Sequence, residues 1–397
     1  MELVLHIGHE KTGTSSIQRS LTLSANYLKT LGISISDFPG NGNDWVIPAM
    51  FSKTTDTYDL HGIKEGIQST LKENHKSQFE KYIKNLHPKT KLILTSEHFA
   101  SRLTSVEEVS ELAMLLTKYF EKVTILIFLR NQACLQQAAH WEELKSGFSN
   151  EITFRPNNKT ISSSYFNYKL LLEPWDMAFG KENINVFGYD YELEEHEDIV
   201  DCFFLALPAI FNVKIDISKI IKSARINSTP SNTVMELLRQ FNHEQINENP
   251  RFSSRPYLID RPARRDLINA IENLTPGGPK INVDRRAWHE KFKDTNKHIE
   301  DRYLVNGKIF PKSKKVNNDN VFAIDHLTQE KIKETVDLLF SLYVKNSKNR
   351  KENYSSRLLR RFKVKVQKIL FIWRYTKPVY STYPLIMRLI NFIPRLK

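Results

Sequence analysis

Short apolar runs alternate along this chain with longer stretches whose apolar positions recur at helical spacing. Leu3-Val4-Leu5-His6-Ile7 is rich in β-formers and stops at Gly8; Ile17, Leu21 and Leu28 then begin a helical stripe. Ile33-Ser34-Ile35 predicts a short strand. Residues 37–59, with Pro39, Gly40, Gly42 and Pro48 as turn markers, predict an irregular stretch. Its Trp45, Met50 and Phe51 either line a pocket near the first turn or pack on the body of the fold. Residues 62–86 predict a heavily charged, solvated helix. Lys91-Leu92-Ile93-Leu94-Thr95-Ser96 predicts the next strand, ending in Glu97-His98-Phe99. Ser105-Val106-Glu107-Glu108 has the form of a capping box and opens a helix to about Phe120, with Leu112, Leu115, Leu116 and Tyr119 on one side.

Val123 to Leu129 is an almost unbroken apolar run, the signature of a central parallel strand covered on both faces, and it ends at Arg130. Helices are predicted over 133–145 and 165–179, with a polar loop over 147–164 between them. A strand follows at Ile184-Asn185-Val186-Phe187, then helices over 198–207, 229–241, 260–271 and 327–344. Residues 275–320, rich in Lys, Asn and Asp, predict no definite element. Strands alternating with helices imply βαβ crossovers: an α/β fold with a parallel sheet between two helical layers. Such sheets bind ligands at the carboxyl ends of their strands. Three of those ends carry chemistry: Gly8 to Ser16, Glu97-His98, and Arg130.

Charge alters this picture only at one end. The 397 residues carry a net charge of +13, but eleven Lys and Arg and no acid lie between 357 and 397, and removing those eleven leaves +2 for everything before them. A diffuse nucleic-acid footprint is not expected of so neutral a body. Two cysteines, Cys134 and Cys202, make neither a disulfide framework nor a metal cluster. The first strand begins almost at the first residue, which sets the expectation of a cytoplasmic chain without signal peptide or N-terminal anchor.

The first turn is the most specific feature. A loop that enters a helix start gathers unpaired backbone N–H groups at the positive end of the helix dipole. Gly8-His9-Glu10-Lys11-Thr12-Gly13-Thr14-Ser15-Ser16 adds a Lys, two Gly and four hydroxyls, a composition suited to phosphate or sulfate. A nucleotide P-loop reads G-x-x-x-x-G-K-[ST]. Here Gly8 and Gly13 keep that spacing, but Thr14 stands where the Lys would be, and the Lys is inside the loop at Lys11.

Lys11-Thr12-Gly13-Thr14-Ser15-Ser16 after a first strand resembles the 5′-phosphosulfate loop of sulfotransferases that use 3′-phosphoadenosine 5′-phosphosulfate (PAPS), of the bacterial, carbohydrate-acting kind. The resemblance covers roughly residues 1–240. It implies a P-loop NTPase-like sulfotransferase core over 1–346, with 347–397 as a helical C-terminal extension. It also implies PAPS as co-substrate, no metal, and a hydroxyl on a carbohydrate or glycolipid as acceptor. Lys11, Thr12, Gly13, Thr14, Ser15 and Ser16 would hold the 5′-phosphosulfate, with Lys11 also neutralising charge on the departing nucleotide. Phe128-Leu129-Arg130-Asn131 matches the family's 3′-phosphate arginine, although position 138, where the family has Ser, is Ala, with Gln137 beside it as a substitute. The family's general base is a His or Glu at a strand end, so Glu97 and His98 are both candidates, with Glu97 favoured. The stretch from Tyr168 to Ile184, with Leu171, Leu172, Trp175, Phe179, Gly180, Glu182 and Asn183, resembles a structural segment of the same bacterial enzymes, and Arg225-Ile226-Asn227-Ser228 resembles it more weakly.

Two other readings differ at identifiable places. A P-loop kinase or NTPase would carry Gly-Lys-[Ser/Thr] and an Asp ending an apolar strand for Mg²⁺. A catalytically inactive, membrane-associated scaffold could lose Lys11. The tail places Leu358, Leu359, Phe362, Val366, Ile369, Leu370 and Trp373 among basic residues at near-helical spacing. Such a segment either lies on an anionic membrane, as a peripheral attachment to the inner face, or packs on the body as a terminal helix.

Overall fold

The computed structural model describes residues 1–39, 42–54, 68–196, 198–223, 232–248, 283–304 and 309–310. The sequence-predicted helices over 260–271 and 327–344, the motif at Arg225 and the basic tail lie outside the described residues.

Five strands form one all-parallel sheet: β1 (Glu2–Gly8), β2 (Ile33–Ile35), β3 (Lys91–Thr95), β4 (Lys122–Leu129) and β5 (Ile184–Gly188), in the order β2-β3-β1-β4-β5. The sequence places all five of these runs within a residue or two, because each is a short β-forming segment bounded by turn residues. β1 is central. It pairs with β3 from Glu2 opposite Lys91 to His6 opposite Thr95, and with β4 up to His6 opposite Leu126, after which the register shifts at Gly8.

Alternate residues of the strands feed two separate cores, which makes the domain three-layered. Val4, Ile93, Leu126 and Phe128 pack on one face against α1 (Thr14–Leu23), α2 (Ala25–Thr30) and a later helix, Ile199–Phe211. Leu3, Leu5, Leu92, Leu94, Ile125 and Ile127 pack on the other. That second layer holds α3 (Val46–Phe51), α4 (Gln68–Lys84), α5 (His98–Arg102) and α6 (Val106–Thr117). After β4 come α7 (Gln132–Lys145), α8 (Asn158–Ile161), α9 (Tyr168–Phe179), α10 (Tyr189–His196), α11 (the helix Ile199–Phe211), α12 (Asn232–Glu248) and α13 (Arg285–Tyr303).

Three expectations are corrected. The stretch 37–59 is not irregular throughout: it contains α3, whose Met50 and Phe51 belong to the core. The charged helix α4 is not merely solvated, since Phe79 and Ile83 are fully buried on its inner side. The unassigned region 275–320 holds the 19-residue helix α13, capped by Asp284 on the Ala287 N–H and buried through Trp288, Phe292, Asn296 and Ile299. The spacing of those four is helical, but one is an amide, and the surrounding charges dilute the stripe.

The chain divides into two compact units. The first takes in Met1–Leu135, Phe154–Asn227 and Asp284–Asn317, and so contains the whole sheet. The second takes in Gln136–Thr153, Ser228–Val283 and Asn318–Lys397. In the second, the Asn242 amide of α12 donates to the carbonyls of Leu144 and Phe148 at 2.8 and 2.7 Å. His140 there is buried, and burial pushes its imidazole down to about 4. Among the described residues no helix is long and apolar enough to cross a membrane.

The capping box is present as the sequence predicts: Ser105 Oγ accepts from the Glu108 N–H at 3.3 Å, and Glu108 Oε2 accepts from the Ser105 N–H at 3.0 Å. Ser105→Ala should lower unfolding stability by about 1 kcal/mol. Urea titration with an unchanged midpoint would show that Glu108, which also accepts from the Lys53 N–H, carries the cap alone.

Candidate active site

The site begins where the strand order reverses. The chain leaves β1 for β2 on one side and leaves β4 for β5 on the other, so a crevice opens between the carboxyl ends of β1 and β4. The loop after β1 and Arg130 after β4 meet across it. Arg130 Nη1 donates to the Lys11 carbonyl at 2.8 Å, and the guanidinium lies 5.1 Å from the Tyr189 ring centre. Tyr168, fully buried, donates its hydroxyl to the Arg130 carbonyl, and burial holds its phenol well above the usual range. Asp190 Oδ2 accepts from the Asn131 N–H at 2.6 Å, while Asn131 Oδ1 accepts from the Ala133 N–H at 3.1 Å and so starts α7. Burial raises the Asp190 carboxyl, against the opposing pull of the Asn131 N–H, Arg130 and Arg285.

The loop is tightly specified. Gly8, Lys11 and Gly13 all have positive φ, at 104°, 63° and 82°. At Gly8 and Gly13 a side chain has no room: its Cβ would lie 3.0 Å from Glu97 Cα or 2.6 Å from Ile199 Cγ2. The His9 N–H donates to the Phe128 carbonyl at 3.2 Å, which pins the loop to β4. Gly13 begins α1 with no side-chain cap, so the first N–H groups of that helix have no side-chain acceptor. Left-handed turns followed by a helix start form an anion-sized concavity of N–H dipoles.

Of the loop's hydroxyls, Thr12 is fully buried and donates to the His9 carbonyl at 2.6 Å. A hydroxyl has one proton, so an anion at this loop meets the backbone of Thr12 and not its side chain. Thr14 is also buried, Ser15 is exposed, and Ser16 is half-buried. His9, which the sequence did not single out, is buried against Tyr165 and Tyr168 with ring centres 4.7 and 6.0 Å away. Burial lowers its imidazole, against the opposing pull of Glu10 and of a backbone hydrogen bond at Tyr165. Glu10 stays charged. Burial pushes its carboxyl up, but His9, the Ser101 hydroxyl, Lys11 and Arg102 together hold it below its usual value.

Glu97 lies flush against Gly8 and precedes α5. Its carboxylate accepts from Gln18 Nε2 at 3.0 Å and from Asn43 Nδ2 at 3.2 and 3.3 Å. His98, next in sequence, faces other groups. Burial lowers its imidazole, while Glu97 and Glu10 oppose that and Arg102 adds to it. Neither Gln18 nor Asn43 was a sequence candidate, since nothing local marks an amide that reaches a carboxylate 54 or 79 residues away. Gln137 falls in the second unit, where it is buried with its Nε2 unpartnered. Among the described residues, no group of three His, Cys, Asp or Glu is placed to hold a metal ion.

Beneath these loops is a polar layer. His6 Nδ1 bonds the Thr95 hydroxyl at 2.8 Å inside an otherwise apolar core, and burial pushes the imidazole down to about 3. Asp44 Oδ2 accepts from the Thr95 N–H at 2.8 Å, and the Asp44 N–H donates to the Thr95 carbonyl at 2.9 Å.

No protein-family model matches the chain, and no curated protein matches it at a significant level. The sheet and the site geometry therefore define an α/β protein with an anion-suited loop at its switch point, and any reading of its chemistry rests on that geometry.

Asp44 gives a pH signature. Burial raises its carboxyl from 3.8 to about 7, with Asp37 adding to the rise and Ser36 and the Thr95 N–H opposing it. A raised acid stabilises the fold below the unfolded value and loses that contribution as pH climbs to the folded one. Asp44→Asn keeps an acceptor for Thr95 without the charge. Its melting temperature relative to the parent should therefore rise from pH 4 to pH 8, reflecting a difference on the order of 4 kcal/mol at 1.36 kcal/mol per pH unit. A difference that stays constant over that range would contradict a buried, titrating Asp44.

Proposed function

We propose that this chain transfers a sulfonate group from PAPS to an acceptor hydroxyl, on a P-loop NTPase-like core. The observation that carries the reading is the closure of the loop containing Lys11 by Arg130 across the β1/β4 crevice. The Arg130 guanidinium, the backbone of the Lys11 loop and an uncapped helix start thus meet at one strand-end crevice, which supports a ligand with more than one anionic group. The order of Lys11 and Gly13 favours phosphosulfate over a nucleoside triphosphate. β4, the almost unbroken apolar strand, is followed by Arg130 and not by an acid suited to Mg²⁺, which disfavours a kinase.

In this reading the loop N–H groups of 12–15 and Lys11 hold the 5′-phosphosulfate, with the hydroxyls of Thr14, Ser15 and Ser16 at the helix start. Arg130 serves the 3′-phosphate. The acceptor oxygen attacks sulfur, and the bond between sulfur and the phosphate oxygen breaks. Its electron pair leaves on adenosine 3′,5′-bisphosphate, and the acceptor proton passes to a base. Glu97 is that base, because its carboxylate is held beside the loop; His98 orients the acceptor. Sulfuryl transfer of this kind depends on positioning and on charge stabilisation at the leaving oxygen. The acceptor is a carbohydrate or glycolipid hydroxyl, a class that comes from the resemblance of the loop and not from any contact. The chain acts in the cytoplasm, with its basic tail on an anionic membrane surface.

Transfer of labelled sulfonate from PAPS to a panel of saccharide and glycolipid acceptors tests the reading. Lys11→Ala should abolish transfer with the melting temperature preserved. Glu97→Gln should lose roughly 10²–10⁴-fold in kcat, the usual worth of a general base, and more than His98→Ala loses. Full activity in Lys11→Ala would remove the loop lysine from the mechanism, and a larger loss in His98→Ala would exchange the roles of the two strand-end residues.

A further inference from the structure

Among the described residues, the hydrogen-bond donors to the Glu97 carboxylate are two side-chain amides. An amide NH₂ donates and carries no charge, so Gln18 and Asn43 fix direction without forming an ion pair. They come from separate pieces of chain that both bear on the site. Gln18 lies one turn into α1, the helix that the Lys11 loop opens. Asn43 lies in the turn before α3, and its neighbour Asp44 bonds Thr95 of β3 through both backbone and side chain. Glu97 packs closely beside Gly8, its Cα 3.0 Å from where a Cβ on that glycine would stand.

We propose that Gln18 and Asn43 are positioning residues that hold Glu97 in the orientation from which it removes the acceptor proton. The proposal rests on the sulfonate-transfer reading. A carboxylate offers about four lone-pair directions. Oε2 receives two donors, Gln18 and Asn43, and Oε1 receives one, Asn43. Counting donors from the described residues, the open direction is on Oε1, which is the atom assigned to take the proton. Fixing the side chain beforehand also removes a rotamer-entropy cost from the reaction step. Because Gln18 belongs to the helix that starts at the loop, the orientation of the base is tied mechanically to the anion site. A base that depended on its own torsions alone would have no such link.

The test is a double-mutant cycle on the full chain with PAPS and the best acceptor from the panel. Gln18→Met, which keeps the buried volume, and Asn43→Ala should each lower kcat about tenfold to hundredfold, with the KM for PAPS within twofold of the parent. In a Glu97→Ala background neither should lower kcat further, because nothing is left to position. Melting temperatures read the same cycle without activity: each amide substitution should cost stability only when Glu97 is present. Equal losses with and without Glu97 in both measurements, or a raised KM for PAPS with kcat unchanged, would overturn the proposal. A parent chain that transfers no sulfonate while the melting cycle still couples the three residues would overturn the sulfonate-transfer reading and leave the clamp in place as a structural contact.

Discussion

One contact organises the functional end of this fold: the Arg130 guanidinium on the Lys11 carbonyl. It joins the loop after the central strand to the end of the neighbouring strand at the place where the chain turns in opposite directions. The rest of the end is arranged to keep both partners still. Tyr168 holds the Arg130 carbonyl, Asp190 holds the next N–H, and Phe128 accepts from His9. Gly8 and Gly13 are fixed by lack of space as much as by φ, because Glu97 and Ile199 stand where their side chains would go.

Below this end the sheet carries polar side chains where a simpler protein would have hydrocarbon. His6 and Asp44 both converge on Thr95, so the end of β3 is gripped from the sheet interior and from the turn before α3. Directional hydrogen bonds among buried polar groups specify one arrangement more sharply than apolar packing does, although His6 Nε2 is buried here without a partner. Here the arrangement they specify is the height and direction of Glu97. Burial lowers the imidazoles of His6 and His9 and raises the Asp44 carboxyl. The stability of this layer therefore responds to pH in both senses: the histidines weaken it as pH falls below their unfolded value, and Asp44 weakens it as pH rises toward 7.

The sheet was legible because its strands are short, apolar and bounded by turns, and because each sits within one continuous stretch of sequence. The loop was legible for the same reason: nine consecutive residues carry it. What escaped was non-local or chemically mixed. The helix α13 presents Trp288, Phe292, Asn296 and Ile299 inward, but Asn296 breaks the apolar stripe and makes sense only against Gln132, with which it exchanges hydrogen bonds of 2.7 and 3.2 Å. The clamp on Glu97 draws on residues far apart in the chain. The burial of Thr12, which commits its hydroxyl inside the loop, follows from the fold of the loop and not from its composition.

The proposed sulfonate transfer requires the crevice between β1 and β4 to hold a nucleotide with phosphates at both ends of its ribose. Thermal shift with adenosine 3′,5′-bisphosphate tests it most directly. The account predicts that this nucleotide raises the melting temperature in the presence of EDTA, that Arg130→Ala removes most of the rise, and that ATP with Mg²⁺ produces little. A rise with ATP and Mg²⁺ and none with adenosine 3′,5′-bisphosphate would contradict it.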